Sequence, residues 1–240
     1  MATVISDKLT INGEGSDVVL DGFDFTSNGY VDIKNAFSVV IKNCRVYGMN
    51  CEGATKNYWL RVYNDIPVKL IVENNFFGDN AGVNGKMYNL IEPTAQFMNG
   101  SSISNNYFTA GCCTHNIINV YGAVNNSEIN INDNIVEMTA SGIRIGVKGD
   151  KTCTINVRNN KVLATNPTYT DEDQGLVTIQ PYGTQTTSFS KMTIAVSGNE
   201  LPCEQIVYAG YGSQDTVLTD ETMPKVIIDG KVSNVTIYKW

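Results

Sequence analysis

The chain has 240 residues, 42% of them apolar, with a formal net charge of −7 and arginines only at positions 45, 61, 144 and 158. The length allows one or two domains with a sizeable core, and the apolar content is too high for a disordered chain. No apolar run approaches the ~20 residues of a membrane span, and Lys and Arg never cluster as a duplex-binding face requires. Neither a membrane nor a nucleic acid is an expected partner.

The N-terminal stretch MATVISDKLTING lacks the basic start and continuous apolar run of a secretory leader. The expectation is a chain that folds in the cytosol. Residues 1–9 read as a cap, and KLTING reads as the first strand.

One phrase then recurs down the chain. It is clearest as VENNFFG, ISNNYFT, INDNIVE, VRNNKVL and VSGNELP, which carry Asn75, Asn106, Asn134, Asn160 and Asn199 as anchors. Earlier, VVLDGFDF and VVIKNCRV put Phe23 and Cys44 at the anchor, and later KVIIDGKV puts Gly230 there. Apolar residues stand five and three places before each anchor and two places after it. The second of these columns is Leu20, Ile41, Val72, Ile103, Ile131, Val157, Val196 and Ile227. The third is Phe25, Val46, Phe77, Phe108, Val136, Val162, Leu201 and Val232. The first column has two polar exceptions, Ser101 and Lys225. Between anchors, further short alternating segments end at Tyr63, Gly122, Gly146, Gly183 and Gly212. Alternate β-branched residues in short runs argue strands.

Steps of 21, 31, 31, 28, 26, 39 and 31 residues between anchors fit a stacked repeat. One repeat cannot bury its apolar side alone, so neighbours must stack. Parallel strands lie ~4.8 Å apart, so eight coils would rise on the order of 40 Å. In such a stack the anchor Asn has two uses. It tolerates the left-handed backbone of a tight bend, and its amide can donate to the equivalent carbonyl oxygen one coil away, building a ladder.

This pattern resembles the right-handed parallel β-helix of pectate lyases, polygalacturonases and phage tailspikes, over roughly residues 10–235. The resemblance implies an all-β solenoid of about eight coils, a single domain over residues 1–240 with short caps at 1–9 and 233–240. It fits the fold and not one activity, because β-helices host enzymes, adhesins and structural subunits. The GHG, NTD, DD and RIK segments of polygalacturonases are missing; Arg144 in GIRIG is the nearest echo, outward between inward Ile143 and Ile145.

Candidate chemistry is sparse. A glycosidase needs two carboxyl groups ~5–10 Å apart. The available acids are Glu73, Asp133, Asp150 and the run Asp171, Glu172, Asp173, which reads as a solvated loop. The single His115 lies near Cys112 and Cys113 without a paired CxxC pattern. The six cysteines read as reduced, buried thiols. No catalytic residue, metal or cofactor is assigned. Tyr63, Tyr121, Tyr182 and Tyr211 close the intermediate strands, and with Tyr47 they could align at one corner. Aligned, they would be a half-buried stack or a contact surface for sugar rings or a neighbouring subunit. Trp59 and the C-terminal Trp240 read as interface anchors, and the most exposed apolar segments as those around Trp59, Phe76, Phe97 and Tyr107.

The expected function is a phage virion structural protein, a capsid-decoration or tail-fibre subunit. It would act by assembly with itself, as the homotrimers of phage β-helices imply, and with other virion proteins, with cell-surface glycan as a further contact. The expected place is the virion, assembled in the host cytoplasm. Two other readings remain open: a polysaccharide lyase or glycoside hydrolase on the same scaffold, and a non-catalytic glycan-binding module.

Overall fold

The computed structural model describes residues 2–50, 58–63, 66–79, 90–93, 96–113, 116–139, 141–146, 149–165, 175–181, 188–202, 206–214 and 216–239. Every regular element among them is a strand. The chain opens with β1 (Thr3–Ile5) and β2 (Leu9–Asn12) and then proceeds three strands at a time. The first circuit is β3 (Asp17–Asp21), β4 (Phe23–Ser27) and β5 (Val31–Lys34); the second is β6 (Ser38–Lys42), β7 (Arg45–Met49) and β8 (Leu60–Tyr63). The third is β9 (Lys69–Glu73), β10 (Phe76–Phe77) and β11 (Ile91–Pro93); the fourth is β12 (Ser101–Ser104), β13 (Tyr107–Phe108) and β14 (Ile118–Val120). The fifth is β15 (Ser127–Asn132), β16 (Ile135–Thr139) and β17 (Ser141–Ile145); the sixth is β18 (Cys153–Arg158), β19 (Lys161–Thr165) and β20 (Gly175–Ile179). β21 (Met192–Ser197), β22 (Val207–Tyr211), β23 (Lys225–Ile228), β24 (Lys231–Val232) and β25 (Ile237–Lys239) complete the chain.

Three sheets result. The first is β1-β4-β7-β10-β13-β16-β19, the second β2-β5-β8-β11-β14-β17-β20-β22-β25, and the third β3-β6-β9-β12-β15-β18-β21-β23, with β24 folded back on its end. Through β18 each strand pairs in parallel with the strand three places on, so the chain visits the sheets in rotation. Among the described residues only the β23–β24 pair is antiparallel. A bridge between Lys161 and Glu200 carries the first sheet one level further. The segment expected as an N-terminal cap is therefore itself paired: β1 lies beside β4. The first strand begins at Thr3, ahead of KLTING, and the C-terminal IYK joins the second sheet as β25.

The apolar columns lie inside this arrangement. Val72, Ile103, Ile131 and Val157 pair one above the next, and all four are buried. Period-2 alternation puts these residues on one face of each strand, where stacking removes them from water. Ser101, the polar member of the first column, is buried too. Its hydroxyl accepts from the Leu70 N–H at 3.1 Å and donates to the Met98 carbonyl at 2.8 Å, so its burial leaves no unmet polar group.

Two expectations need correction here. At the anchor bends the left-handed residues are those just before the anchors: Asn43, Asn74, Asn105, Asp133 and Asn159 have φ of 54–58°, and Gly198 has φ of 63°. The bend falls one residue early because the anchor's side chain points into the stack and is buried. The KVIIDGKV line is also misread by one residue. Ile194 pairs with Val226 and Val196 with Ile228, so Lys225 and Ile227 do not belong to the inward columns. Beyond Ile228 the chain turns back into β24, and Val232 is 68% exposed.

Candidate functional site

The anchor asparagines form a continuous ladder. Asn134 Oδ1 accepts from both the main-chain N–H and the Nδ2 of Asn106, each at 3.0 Å. Asn134 Nδ2 donates to Asn160 Oδ1 at 2.9 Å and to the Ile103 carbonyl at 3.0 Å. The same pattern links Asn75 to Asn106 and Asn160 to Asn199. At the lower end the Cys44 N–H donates to Asn75 Oδ1 at 2.9 Å, so Cys44 does hold the anchor place. The ladder is a scaffold element: Asn75, Asn106, Asn134 and Asn160 are buried, and Asn199 at its end is half-buried.

Trp59 is not a surface residue. Fully buried, it packs edge-on between Phe25 and Phe77, with ring centroids 5.3 Å away on each side, and Phe77 stacks on Phe108 at 4.7 Å. Phe97 is buried as well. Nor do the tyrosines form one column. Tyr63 and Tyr121 each follow an equivalent residue of the second sheet, Val62 and Val120, yet Tyr121 is buried. Tyr211 pairs with Lys239, one register step further along. Tyr182 and Trp240 lie outside the described residues, as do His115 and Asp171–Asp173.

Two outer faces carry the remaining chemistry. On the second sheet, the residues between the inward-facing pairs form a polar file: Thr10, Asp32, Arg61 and Glu92, then Asn119, Arg144, Thr178 and Tyr208. Asp32 is buried and ion-paired with Lys8 and with Arg61, whose Nε is 3.4 Å away. Arg61 Nη2 also donates to the Tyr63 hydroxyl, and its guanidinium lies 4.1 and 4.6 Å from the ring centroids of Tyr63 and Tyr58. Further along, Asn119 is fully buried, and neither atom of its side-chain amide has a hydrogen-bond partner among the described residues. Arg144 Nη2 donates to the Pro181 carbonyl at 3.2 Å, and its guanidinium faces the Tyr121 ring. The signal for this file was in the sequence: VDI, LRV, INV, IRI, VTI and VYA all set a polar or aromatic residue between inward ones. Only the register shows that these central residues share one line.

Burial pushes the Asp32 carboxyl up. Hydrogen bonds from Lys8 and Tyr63 and the charges of Arg61 and Lys8 outweigh that, so it titrates below its ordinary value. A carboxylate with a depressed folded-state pKa stabilises fully above the unfolded value and loses its contribution as pH falls through the folded one. The melting temperature is therefore expected to drop below about pH 4. Asp32→Asn should lower it at neutral pH and flatten part of that acid limb, as differential scanning calorimetry across pH would read.

The first sheet's outer face is different. Its central file runs Asp24, Arg45, Phe76, Tyr107, Ile135 and Lys161, then Glu200 at the bridge. Phe76 is 40% exposed and Ile135 37%. The adjacent file adds exposed Tyr47 and Leu163. Between them Gly78 leaves a notch over which the Phe76 ring leans: a Cβ at Gly78 would lie 3.0 Å from Phe76 Cε1 and from Tyr47 Cβ. The Phe76 and Tyr107 rings stack at 5.8 Å and 21°. The Tyr107 hydroxyl donates to Glu137 Oε1 at 2.6 Å, and the Ala110 N–H donates to Oε2 at 3.0 Å. The Tyr107 hydrogen bond, followed by that of Ala110, holds the Glu137 carboxyl below its ordinary value. At the two ends Arg45 pairs with Asp24, and Lys161 with Glu200 at 2.8 Å.

The described cysteines 44, 112, 113 and 153 are free thiols. Burial pushes the Cys153 thiol up to about 11, so it stays protonated and shielded at pH 8. Half-buried Cys113 is expected to alkylate with iodoacetamide at least tenfold faster than Cys153 in the native state, read by peptide mass mapping.

Among the described residues, no group of three or more His, Cys, Asp or Glu is arranged to hold a metal ion. No helix there is long and apolar enough to cross a membrane. Comparison with protein-family models, with curated proteins and with solved structures returns no match.

Proposed function

We propose that the chain is a right-handed parallel β-helix of about eight coils that serves as a structural subunit, of the kind phage virions use, and works by protein–protein assembly. The rotation of the chain through three parallel sheets and the asparagine ladder support the fold. The observation that carries the function is the first sheet's outer face: exposed Tyr47, Phe76, Ile135 and Leu163 with half-buried Tyr107, set on a regular ladder of strands and bounded by ion pairs. A contiguous exposed apolar patch rimmed by charge marks an interaction surface. Recovery of a tagged copy within assembled particles, by sedimentation and mass spectrometry, is the expected result. Recovery only as a free chain would reject the assembly role.

A second reading rests on a different face. The buried Asn119, its amide unpaired among the described residues, and Arg61 between two tyrosine rings favour contact with a hydroxyl-rich ligand such as a glycan, since an unmet buried amide costs about 1–3 kcal/mol unless something pairs with it. A glycan array probed with the whole chain tests it; binding lost in Asn119→Ala but kept in Ile135→Asp supports this face, and silence across the array removes it.

A further inference from the structure

We propose that Cys112 and Cys113 form a bidentate soft-ligand site for a monosubstituted trivalent arsenical, with one arsenic atom bridging both sulfurs. The inference does not depend on the assembly role.

Distance comes first. The two Sγ atoms are 4.0 Å apart, and both residues carry thiols. A direct bond between them is disfavoured. Neighbouring Cα atoms lie about 3.8 Å apart, below the roughly 4.4–6.8 Å of most disulfides, so such a bond would be strained and easily reduced. A third atom removes the conflict. Two bonds of ~2.3 Å, the zinc–thiolate length, span the 4.0 Å with an angle of about 120° at the shared atom. A pyramidal centre needs the sulfurs about half an ångström closer, which a small χ1 rotation of half-buried Cys113 supplies.

The backbone is set for this. Cys112 closes a turn that begins at Thr109, whose carbonyl accepts from the Cys112 N–H at 3.2 Å. The Thr109 N–H donates to the Phe77 carbonyl at 2.9 Å, and the Ala110 N–H to Glu137 Oε2 at 3.0 Å. The Asp79 carboxyl fills the place that a Cβ at Gly111 would take. The chain leading into the two thiols is thus held before a ligand arrives, and a preorganised pair loses little freedom on binding.

The donor set selects the ligand. Thiolates prefer soft centres. Among the described residues no group of three or more His, Cys, Asp or Glu is gathered here, so the two sulfurs lack the companions that a four-coordinate zinc draws from protein. An arsenical of the type R–As(OH)2 asks for two sulfurs, because its third bond is to carbon. Cys113 is the point of entry, and Cys112 is buried behind it. The Cys113 sulfur attacks arsenic, and the first hydroxide leaves as water with the Cys113 proton. The hydrogen bond to Cys113, then burial, pushes the Cys112 thiol well up, so Cys112 brings its own proton to the second hydroxide as its sulfur closes the ring. Two As–O and two S–H bonds break, two As–S and two O–H bonds form, and arsenic stays trivalent.

Phenylarsine oxide, which hydrates to the R–As(OH)2 form, is the probe. The full chain should take up one phenylarsenic, shield both Cys112 and Cys113 from iodoacetamide in peptide mass mapping, and release the arsenic to dithiothreitol but not to glutathione at equal thiol concentration. Cys112→Ala and Cys113→Ser should each raise the apparent dissociation constant at least a hundredfold, the loss expected when one of two tethered contacts is removed. Melting curves check that each variant is folded, and the half-buried Cys113 position decides if Cys112→Ala is not. Cys51→Ala combined with Cys203→Ala, at the two cysteines outside the described residues, should leave binding unchanged. No uptake, protection of one sulfur alone, equal release by glutathione, retention in Cys113→Ser or loss in the Cys51 and Cys203 variant each overturns the assignment. Particle recovery tests the assembly role separately.

Discussion

Asn134→Ala is expected to lower the free energy of unfolding by about 3 kcal/mol. The substitution removes four side-chain hydrogen bonds. It also strands the buried Asn106 N–H, and an orphaned buried donor costs about 1–3 kcal/mol before the cavity is counted. Asn134→Asp should be worse at neutral pH. The new oxygen would face the Ile103 carbonyl and Asn160 Oδ1, both acceptors. Burial and these acceptors would raise the pKa of the new carboxyl, so its penalty relative to wild type should shrink as pH falls and the acid becomes a donor. Asn159→Ala, at the left-handed position outside the stack, should cost only about 1–2 kcal/mol. Urea titrations at pH 7 and pH 5 read all three; equal losses at Asn134 and Asn159 would remove the ladder from its place in the fold.

Trp59→Ala is expected to cost about 3–5 kcal/mol, the range for deleting a large ring from a closed core. Its ring is held between Phe25 and Phe77, and stacking of Phe77 on Phe108 extends the line of aromatics. Trp59→Phe should cost far less than the full deletion, because it keeps most of the volume and discards a buried Nε1 that has no hydrogen-bond partner among the described residues. Chemical denaturation measures both. A Trp59→Ala chain as stable as wild type but altered in association would return Trp59 to the surface role that its sequence context suggests.

Much of the fold was legible because it depends on a period. Inward residues repeat every two positions, and Leu20, Ile41, Val72, Ile103, Ile131, Val157 and Val196 could be lined up from their distance to the anchor. The line failed at Lys225–Val232, where IIDG offers two apolar neighbours and either register satisfies the pattern; pairing with Ile194 and Val196 decides it. The bend was placed one residue late because Asn is common to both roles: Asn74 and Asn75, or Asn105 and Asn106, look alike in sequence and differ only in which side chain is inward.

The candidate surfaces were less legible for a different reason. Outward residues have no shared composition, so nothing in sequence aligns Arg45 with Phe76 or Asp32 with Arg61 until the strands are paired. Phe76 and Tyr107 were among four exposed apolar candidates, and the other two, Trp59 and Phe97, are interior. An aromatic after a long loop looks the same whether it returns to the core or stays outside. The tyrosines misled similarly: ending a strand does not fix the step at which a side chain leaves it, and Tyr63 and Tyr211 leave at different steps.

The ladder has a consequence for how such a gene can change. Each inner anchor bonds to the anchors directly above and below it and to one main-chain carbonyl of the neighbouring circuit, and every link repeats the same donors and acceptors. An in-frame duplication of one circuit, such as the 28 residues from Tyr107 to Asn134, would supply its own rung and meet ready-made partners on both sides. Unequal recombination can thus lengthen or shorten the molecule in increments of ~4.8 Å, without redesigning any residue already present.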